Sequence, residues 1–130
     1  MIGLLATFAL FAQVSDIEQA DAAFRGGEID KAVAFARRAI ARDPGQVHGH
    51  MILGVIAAQR EQWLAANGHF QTVVRLAPAD PQGFFYLGQA KLYQKQFEPA
   101  VRDFQKALSL GFPDRDRLFE IGRASCRERV

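Results

Sequence analysis

The chain has 130 residues, the length of one domain or of one short array of repeats. Sixteen basic residues against 14 acidic ones give a formal charge of +2, too small a positive excess to indicate a nucleic-acid-binding protein. Hydrophobic residues make up 49% and charged residues 23%, which excludes wholesale disorder, a collagen-like chain and a membrane protein with several spans. The single cysteine excludes an internal disulfide framework and a cysteine-rich zinc site.

Residues 1–12 contain no charged side chain, and the first charge is Asp16. This run is shorter than the roughly 20 residues that span a bilayer. It fits the apolar core of a secretory signal, with small residues at Ala9 and Ala12, although no Lys or Arg precedes it. We therefore predict a signal, and hence export to the periplasm or the medium. If the segment is instead a hydrophobic cap on the fold, the protein is cytoplasmic. Membrane contact is expected only through this segment, if it stays uncleaved.

An internal repeat of 34 residues follows. The stretch 47–80 matches 81–114 at nine identical positions, where average composition predicts about two. The identical pairs include Gly49/Gly83, Leu53/Leu87, Gly54/Gly88, Ala66/Ala100 and Phe70/Phe104. The stretch 13–46 matches less well but aligns Ala32 with Ala66 and Pro44 with Pro78. The chain is thus divided into three units, 13–46, 47–80 and 81–114, and the start of a fourth at 115–120.

Each unit is predicted to form two antiparallel helices. In the third unit, Asp80 followed by Pro81 is typical of a helix start, and Gln94, Lys95 and Gln96 form a polar break between the helices. Gly26 and Gly27 form the corresponding turn in the first unit. Small residues stand midway along the first helices and early in the second, where they allow two helices to approach closely. These residues are Ala20, Gly54, Gly88, Ala32, Ala66 and Ala100.

The last ten residues, 121–130, follow Glu120 and back-translate into a string that resembles a sequencing adapter read in frame. We predict that they are not native and that the native chain breaks off within the fourth unit. Without them the chain has 13 basic and 13 acidic residues, and Cys126, the only cysteine, is lost. The remaining sequence then offers no thiol for redox chemistry.

The repeat resembles the tetratricopeptide repeat. The second unit supplies Leu53-Gly54, Ala66, Phe70 and Pro78 at the family's spacing, and the third repeats this with its Pro displaced by one position. The first unit departs at Asp16 and Gln19, where apolar residues usually stand, and Lys91 occupies a place usually held by an aromatic or small residue. The resemblance implies an all-α, right-handed superhelical solenoid with a concave groove lined by the first helix of each pair.

The sequence predicts no catalytic site, cofactor or metal. The three serines lie outside any Gly-x-Ser-x-Gly elbow, and no glycine-rich loop of the phosphate-binding kind occurs. The acidic residues are expected on solvent-exposed faces or at helix caps. His48 and His50 lie two apart on a helix and so point to opposite faces, which is typical of ordinary surface histidines.

A basic cluster in the first unit allows two interpretations. Lys31, Arg37, Arg38 and Arg42 could form a phosphate-contacting stripe, or a solvated helix face offset by nearby acidic residues. Because the native chain is neutral without its tail, we favour the second interpretation and predict no binding of nucleic acid.

The groove is the expected functional surface. The family's helix register implies that it is lined by Ile17, Asp21, Phe24, Met51, Val55, Ala58, Phe85, Gln89 and Leu92, and that Phe119 continues the row. This row is mostly apolar. Relatives that grip acidic chaperone tails carry Lys, Asn and Arg in such positions, and that clamp is absent here because these places hold Ile17, Asp21, Ile52, Gln82 and Tyr86.

We therefore predict a non-catalytic scaffold that binds a partner helix or peptide in the groove. Alternatively, the chain is the N-terminal repeat module of a longer enzyme or envelope-assembly protein, or a downstream helix of the missing chain fills the groove.

Overall fold

The computed structural model describes residues 14–114 and 116. Within them the chain forms six α-helices and no strand. They are α1 (Asp16–Arg25), α2 (Ile29–Arg42), α3 (Val47–Gln59), α4 (Trp63–Leu76), α5 (Pro81–Tyr93) and α6 (Phe97–Ser109). The leader, the tail and, apart from Asp116, the start of the fourth unit lie outside the described residues, so those interpretations stay predictions.

The helices are arranged as three pairs, α1/α2, α3/α4 and α5/α6. Contacts are densest within each pair, and the second helix of one pair packs against the first helix of the next. The first helices also touch one another, α1 against α3 and α3 against α5. The predicted all-α solenoid of helix pairs is confirmed. None of the described helices is both long enough and apolar enough to cross a bilayer.

The helix starts follow local hydrogen bonding. The Asp80 carboxylate accepts a hydrogen bond from the Gln82 backbone N–H at 2.9 Å, and Pro81 occupies the first turn of α5, as the sequence predicts. At α1, the Ser15 hydroxyl accepts from the Glu18 N–H at 3.3 Å, while the Ser15 N–H donates to the Glu18 carboxylate at 3.0 Å. This reciprocal capping box fixes where the first repeat begins.

The turn inside each pair requires a left-handed residue. Gly27, Glu61 and Lys95 stand 34 residues apart and have φ values of 78°, 58° and 60°. Only the first unit places glycine there, although a residue with a Cβ is strained by about 1–2 kcal/mol in this conformation. The second and third units tolerate that strain because the turn is fixed at both ends by packed helices.

A glycine facing a phenylalanine sets the distance between the two helices of a pair. A Cβ added to Gly54 would lie 2.5 Å from Phe70 Cε1, and one added to Gly88 would lie 2.8 Å from Phe104 Cε1. The first unit has Ala20 and Ala36 at the equivalent places, and both are fully buried. Where the first helix carries alanine instead of glycine, the second helix carries alanine instead of phenylalanine. A smaller side chain on one helix thus leaves room for a larger one on the other.

The core is continuous across the repeat boundaries. One cluster of buried residues joins α1 and α2 to Ile52, Leu53 and Ile56 of α3. A second joins α3 and α4 to Leu87 and Ala90 of α5. Each pair therefore buries its apolar surface against the first helix of the next pair, which explains why the pairs cannot fold as isolated units.

The expectation that every acidic residue lies on a solvent-exposed face or at a helix cap is wrong for two residues. Asp16 is only 7% exposed and pairs with Arg42 at 3.1 Å and Arg38 at 3.6 Å. Asp103 pairs with Lys91 at 2.6 Å, and the two side chains are 13% and 18% exposed. Lys91 can replace the usual aromatic or small residue because α6 supplies Asp103 as a counter-charge. Removal of either partner would leave the other charge unpaired and poorly solvated.

We expect Gly27→Ala and Gly68→Ala to change stability in opposite directions. Neither added Cβ would meet an atom within 4 Å, so packing does not separate them. Gly27 has positive φ, and alanine there should lower the free energy of unfolding by about 1 kcal/mol. Gly68 lies within α4, and alanine there should raise it by up to about 1 kcal/mol. Urea denaturation followed by circular dichroism measures both, and a change of the same sign in the two variants would contradict this account.

We expect Gly54→Ala and Phe70→Ala to be strongly coupled. The first should cost about 1–3 kcal/mol through overpacking and the second about 3–5 kcal/mol through cavity formation. In the double variant the added methyl group fits the space that the ring leaves, as Ala20 and Ala36 do in the first repeat. The double variant should therefore lose less stability than the sum of the two. A control cycle of Gly54→Ala with Phe104→Ala should be additive within about 0.5 kcal/mol; additivity in both cycles would refute the proposed contact.

Candidate functional site: a groove between the first helices

A groove of about 240 Å³ lies between α3 and α5, with α4 as its floor. One wall is formed by Val55, Ala58 and Gln59 near the end of α3. The facing wall is formed by Tyr86, Gln89, Ala90 and Tyr93 of α5. Because these walls are first helices of consecutive pairs, the groove opens on the face that the family resemblance predicts. We refer to it as the α3–α5 groove.

Aromatic rings give the α3–α5 groove its shape. Trp63, the first residue of α4, stacks on Tyr93, the last residue of α5, with centroids 4.2 Å apart and planes inclined by 6°. Tyr86 stacks on the buried ring of Phe70 at 5.4 Å. Tyr93 is 63% exposed although it is a large apolar ring. An exposed ring already held by stacking offers contact area to a ligand with little loss of side-chain freedom.

The polar groups of the α3–α5 groove are neutral. Gln59 and Gln89 contribute amide groups, and none of the described lining residues is acidic or basic. The Gln94 side-chain amide donates to the Ala90 carbonyl at 3.0 Å and reaches the Trp63 carbonyl at 3.5 Å. This side chain ties the end of α5 to the start of α4 and so supports the Trp63–Tyr93 stack.

Three of the predicted groove residues meet in the α3–α5 groove: Val55, Ala58 and Gln89. Each is half-buried, so each keeps surface for a partner. Met51 lies one helical turn before Val55, is also half-buried, and packs against the same core cluster. The register of the second unit therefore presents a contiguous, mostly apolar strip.

The predicted residues of the first unit lie elsewhere. Ile17 and Phe24 pack, half-buried, against the core cluster shared by α1, α2 and α3. Asp21 forms an ion pair with Arg25, and its Oδ1 lies 3.2 Å from His48 Nε2 of α3. This carboxylate joins the first helices of two repeats, so at this end of the row a polar bridge occupies the place of an apolar groove wall.

Phe85 differs from its predicted position on the groove surface. It is only 3% exposed and belongs to the core between α5 and α6, where its ring stacks on Phe112 at 4.4 Å and lies 6.0 Å from that of Phe104. Phe112 follows α6 and folds back over it, a contact that helix periodicity does not reveal. Leu92 packs, half-buried, against the same cluster. Phe119 lies outside the described residues.

The sequence reasoning missed the aromatic residues that shape the groove. The predicted register confines the groove to first helices, whereas Trp63 is the first residue of the second helix α4. Tyr93 ends α5 beside the polar break and lies outside the predicted groove positions. The available signal was that these two rings stand next to the inner turns of consecutive units, where a second helix starts and a first helix ends.

The three histidines lie in two separate environments on α3 and α4. His48 and His50 do point to opposite faces of α3, since His48 contacts Asp21 whereas the His50 ring lies 5.8 Å from that of His69 on α4. No group of three or more His, Cys, Asp or Glu among the described residues is arranged to hold a metal ion.

Comparison with known proteins identifies the fold. The first TPR domain of Spaghetti (RPAP3), solved bound to the HSP90 peptide SRMEEVD, is 19% identical with a TM-score of 0.75, covering 84% of this chain and 89% of that one. MamA from AMB-1 is 22% identical with a TM-score of 0.77, covering 88% of this chain and 62% of that one. An O-GlcNAc transferase from Thermobaculum terrenum is 20% identical with a TM-score of 0.75. No curated protein sequence matches this chain.

The transferase shows that this fold also occurs inside longer enzymes, because the match covers 85% of this chain but only 21% of that one. A sequence profile described as tetratricopeptide repeat matches residues 17–81, half of the chain. This match agrees with the 34-residue period, the paired helices and the glycine–phenylalanine contacts. The chain therefore belongs to the tetratricopeptide repeat family and has its superhelical all-α fold.

Proposed function

We propose that this chain is a protein-interaction module that binds a partner helix or an extended peptide in the α3–α5 groove. The observation that carries the proposal is the stack of the exposed Tyr93 on the half-buried Trp63 at the end of a neutral groove. Structurally similar domains are known in peptide-bound form, such as that of Spaghetti with an HSP90 peptide. The described lining of the groove is aromatic and aliphatic, with the amide groups of Gln59 and Gln89 and the hydroxyl groups of Tyr86 and Tyr93.

The chemistry of the groove favours an apolar partner over an acidic one. An acidic peptide tail needs cationic side chains to replace the water around its carboxylates. The groove offers aromatic rings and aliphatic side chains, which stabilise a ligand by removing apolar surface from water. Gln59 and Gln89 can donate to and accept from a peptide backbone, so they suit either a helix end or an extended segment.

Trp63 makes the proposal measurable, because it is the only tryptophan of the chain and lines the groove. Peptides selected on the full chain from a random library should be rich in apolar residues at helical or alternating spacing. Their titration should change the emission of Trp63. Ala58→Lys places a charge in the groove and should weaken binding at least about tenfold. The readouts are tryptophan fluorescence and calorimetry.

The matched control is Ala34→Lys, which adds the same charge at an exposed position of α2, away from the groove. It should change affinity by less than about twofold. Selection of strongly acidic peptides, unchanged Trp63 emission on saturation, or equal weakening by both lysine variants would each disprove the proposal.

A second proposal is that the chain is the N-terminal repeat module of a longer enzyme or envelope-assembly protein. It is supported by the occurrence of the same fold as about a fifth of the O-GlcNAc transferase chain. Sequencing of the genomic locus beyond both ends tests it. A catalytic domain in the same reading frame after the repeats is the expected result. Further repeats, a polar capping helix and a stop codon would leave the stand-alone scaffold.

A further inference from the structure

A second cavity lies on the opposite side of the solenoid. It measures about 390 Å³ and is bounded by the second helices α2 and α4, with α3 between them. Its walls are largely aliphatic and include Val33, Ile40, Leu53 and Ile56. The volume falls within the range of small-molecule sites, about 300–1,000 Å³. The cavity shares none of its described lining residues with the α3–α5 groove.

Four side chains that are or can become cationic converge on this cavity. Arg37 comes from α2, His50 from α3, Arg60 from the residue that follows α3, and His69 from α4. The two imidazole centroids lie 5.8 Å apart. No acidic residue is among the described lining residues. We call this cavity with its four basic side chains the Arg37–His69 pocket.

The positive charge of the pocket is poorly compensated. Among the described residues Arg37 forms no ion pair. Arg60 pairs with Asp30 at 3.0 Å, but the Asp30 side chain is fully exposed, so this contact is weak and screened by salt. Burial, followed by the proximity of His50 and Arg37, lowers the pKa of His69. That direction is expected where a histidine must share a partly dry cavity with other cations.

The internal repeat shows that the fold does not require this cluster. One repeat later, the equivalent positions of Arg37, His50, Arg60 and His69 hold Gln71, Phe84, Gln94 and Asp103. None of the four basic residues recurs. At these later positions Asp103 of α6 forms an ion pair with Lys91 of α5, so the two charges balance each other. The basic residues therefore belong to this one interface and not to the general packing of the repeats.

We propose that the Arg37–His69 pocket binds an oxyanion that carries an apolar group, such as the phosphate of an aryl phosphate. Arginine and histidine donate N–H groups to phosphate oxygens, and the guanidinium group does so in a fork-like geometry. The His50 Nε2 lies 3.2 Å from the Pro44 carbonyl oxygen, which orients that ring within the pocket. The aliphatic walls would pack against the organic part of the ligand.

Three probes test the oxyanion and the apolar part of the ligand separately. They are phenyl phosphate, inorganic phosphate and phenol. NMR titration of the full chain should show saturable shifts of the His50 and His69 ring signals with phenyl phosphate at millimolar concentration. Inorganic phosphate lacks the apolar group and should bind at least about tenfold more weakly, and phenol lacks the charge and should not saturate.

Arg37→Gln and Arg60→Gln should each weaken phenyl phosphate binding at least about fivefold, as expected for loss of a charge-assisted hydrogen bond. Glutamine stands at both equivalent positions in the next repeat, so these variants are compatible with the fold. Arg75→Gln is the matched control, because it removes one positive charge from an exposed position of α4 outside the pocket. Equal weakening by Arg75→Gln would show non-specific attraction and overturn the proposal, as would the absence of saturable shifts in the unsubstituted chain.

The affinity should also depend on pH. An anion favours the protonated form of His69, which faces His50 of α3, Arg37 of α2, Arg60 beyond α3 and, outside the pocket, Asp30. Binding therefore takes up protons, and the dissociation constant should fall as the pH is lowered from 8 to 6. Benzenesulfonate is the probe for this measurement, because its own charge is constant in that range. A dissociation constant that rises or stays unchanged over this range would contradict the assigned role of His69.

Discussion

The close approach of two helices within each repeat is the constraint on which the rest of the structure depends. Gly54 and Gly88 can face Phe70 and Phe104 only because they lack a Cβ, and the rings then fill the space between helices that would otherwise stand apart. Ala20 and Ala36 solve the same problem in the first repeat with two small residues. Close packing within each pair lets the first helices of successive repeats contact one another. This regularity brings α3 and α5 together as facing walls of one groove.

Stacking of the pairs turns this local contact into a solenoid. Each core cluster takes residues from the following repeat, so the apolar surface of one pair is buried only when the next is present. The two cavities of the solenoid also differ in their chemistry. One face of α3 lines the neutral, aromatic α3–α5 groove, and another face of the same helix lines the Arg37–His69 pocket. A repeat fold can therefore present two cavities of different chemistry, because different faces of the same helices, α3 and α4, contribute different side chains to each.

Variation among the repeats gives each interface its own chemistry. Residues that recur every 34 positions, such as Leu53 and Leu87, maintain the fold. Residues that do not recur distinguish one interface from another. Lys91 and Asp103 close the second interface with an ion pair, whereas Ala57 and His69 at the equivalent positions leave a cavity at the first. Asp16 likewise replaces an apolar residue and is held by two arginines of α2.

The sequence by itself determined the period, the helix pairs, the start of α5 at Pro81 and the family, because these follow from local spacing, capping and small residues. The family's helix register also implied that Val55, Ala58 and Gln89 face the groove. Only the tertiary structure decided that Phe85 is core, since Phe112 covers it from beyond α6. It alone brought Trp63 to Tyr93 and His50 to His69, residues far apart in the chain. The physical reason is that periodicity specifies which face of a helix is apolar. Which residue finally covers or extends that face depends on side chains from other helices and from the segments between them.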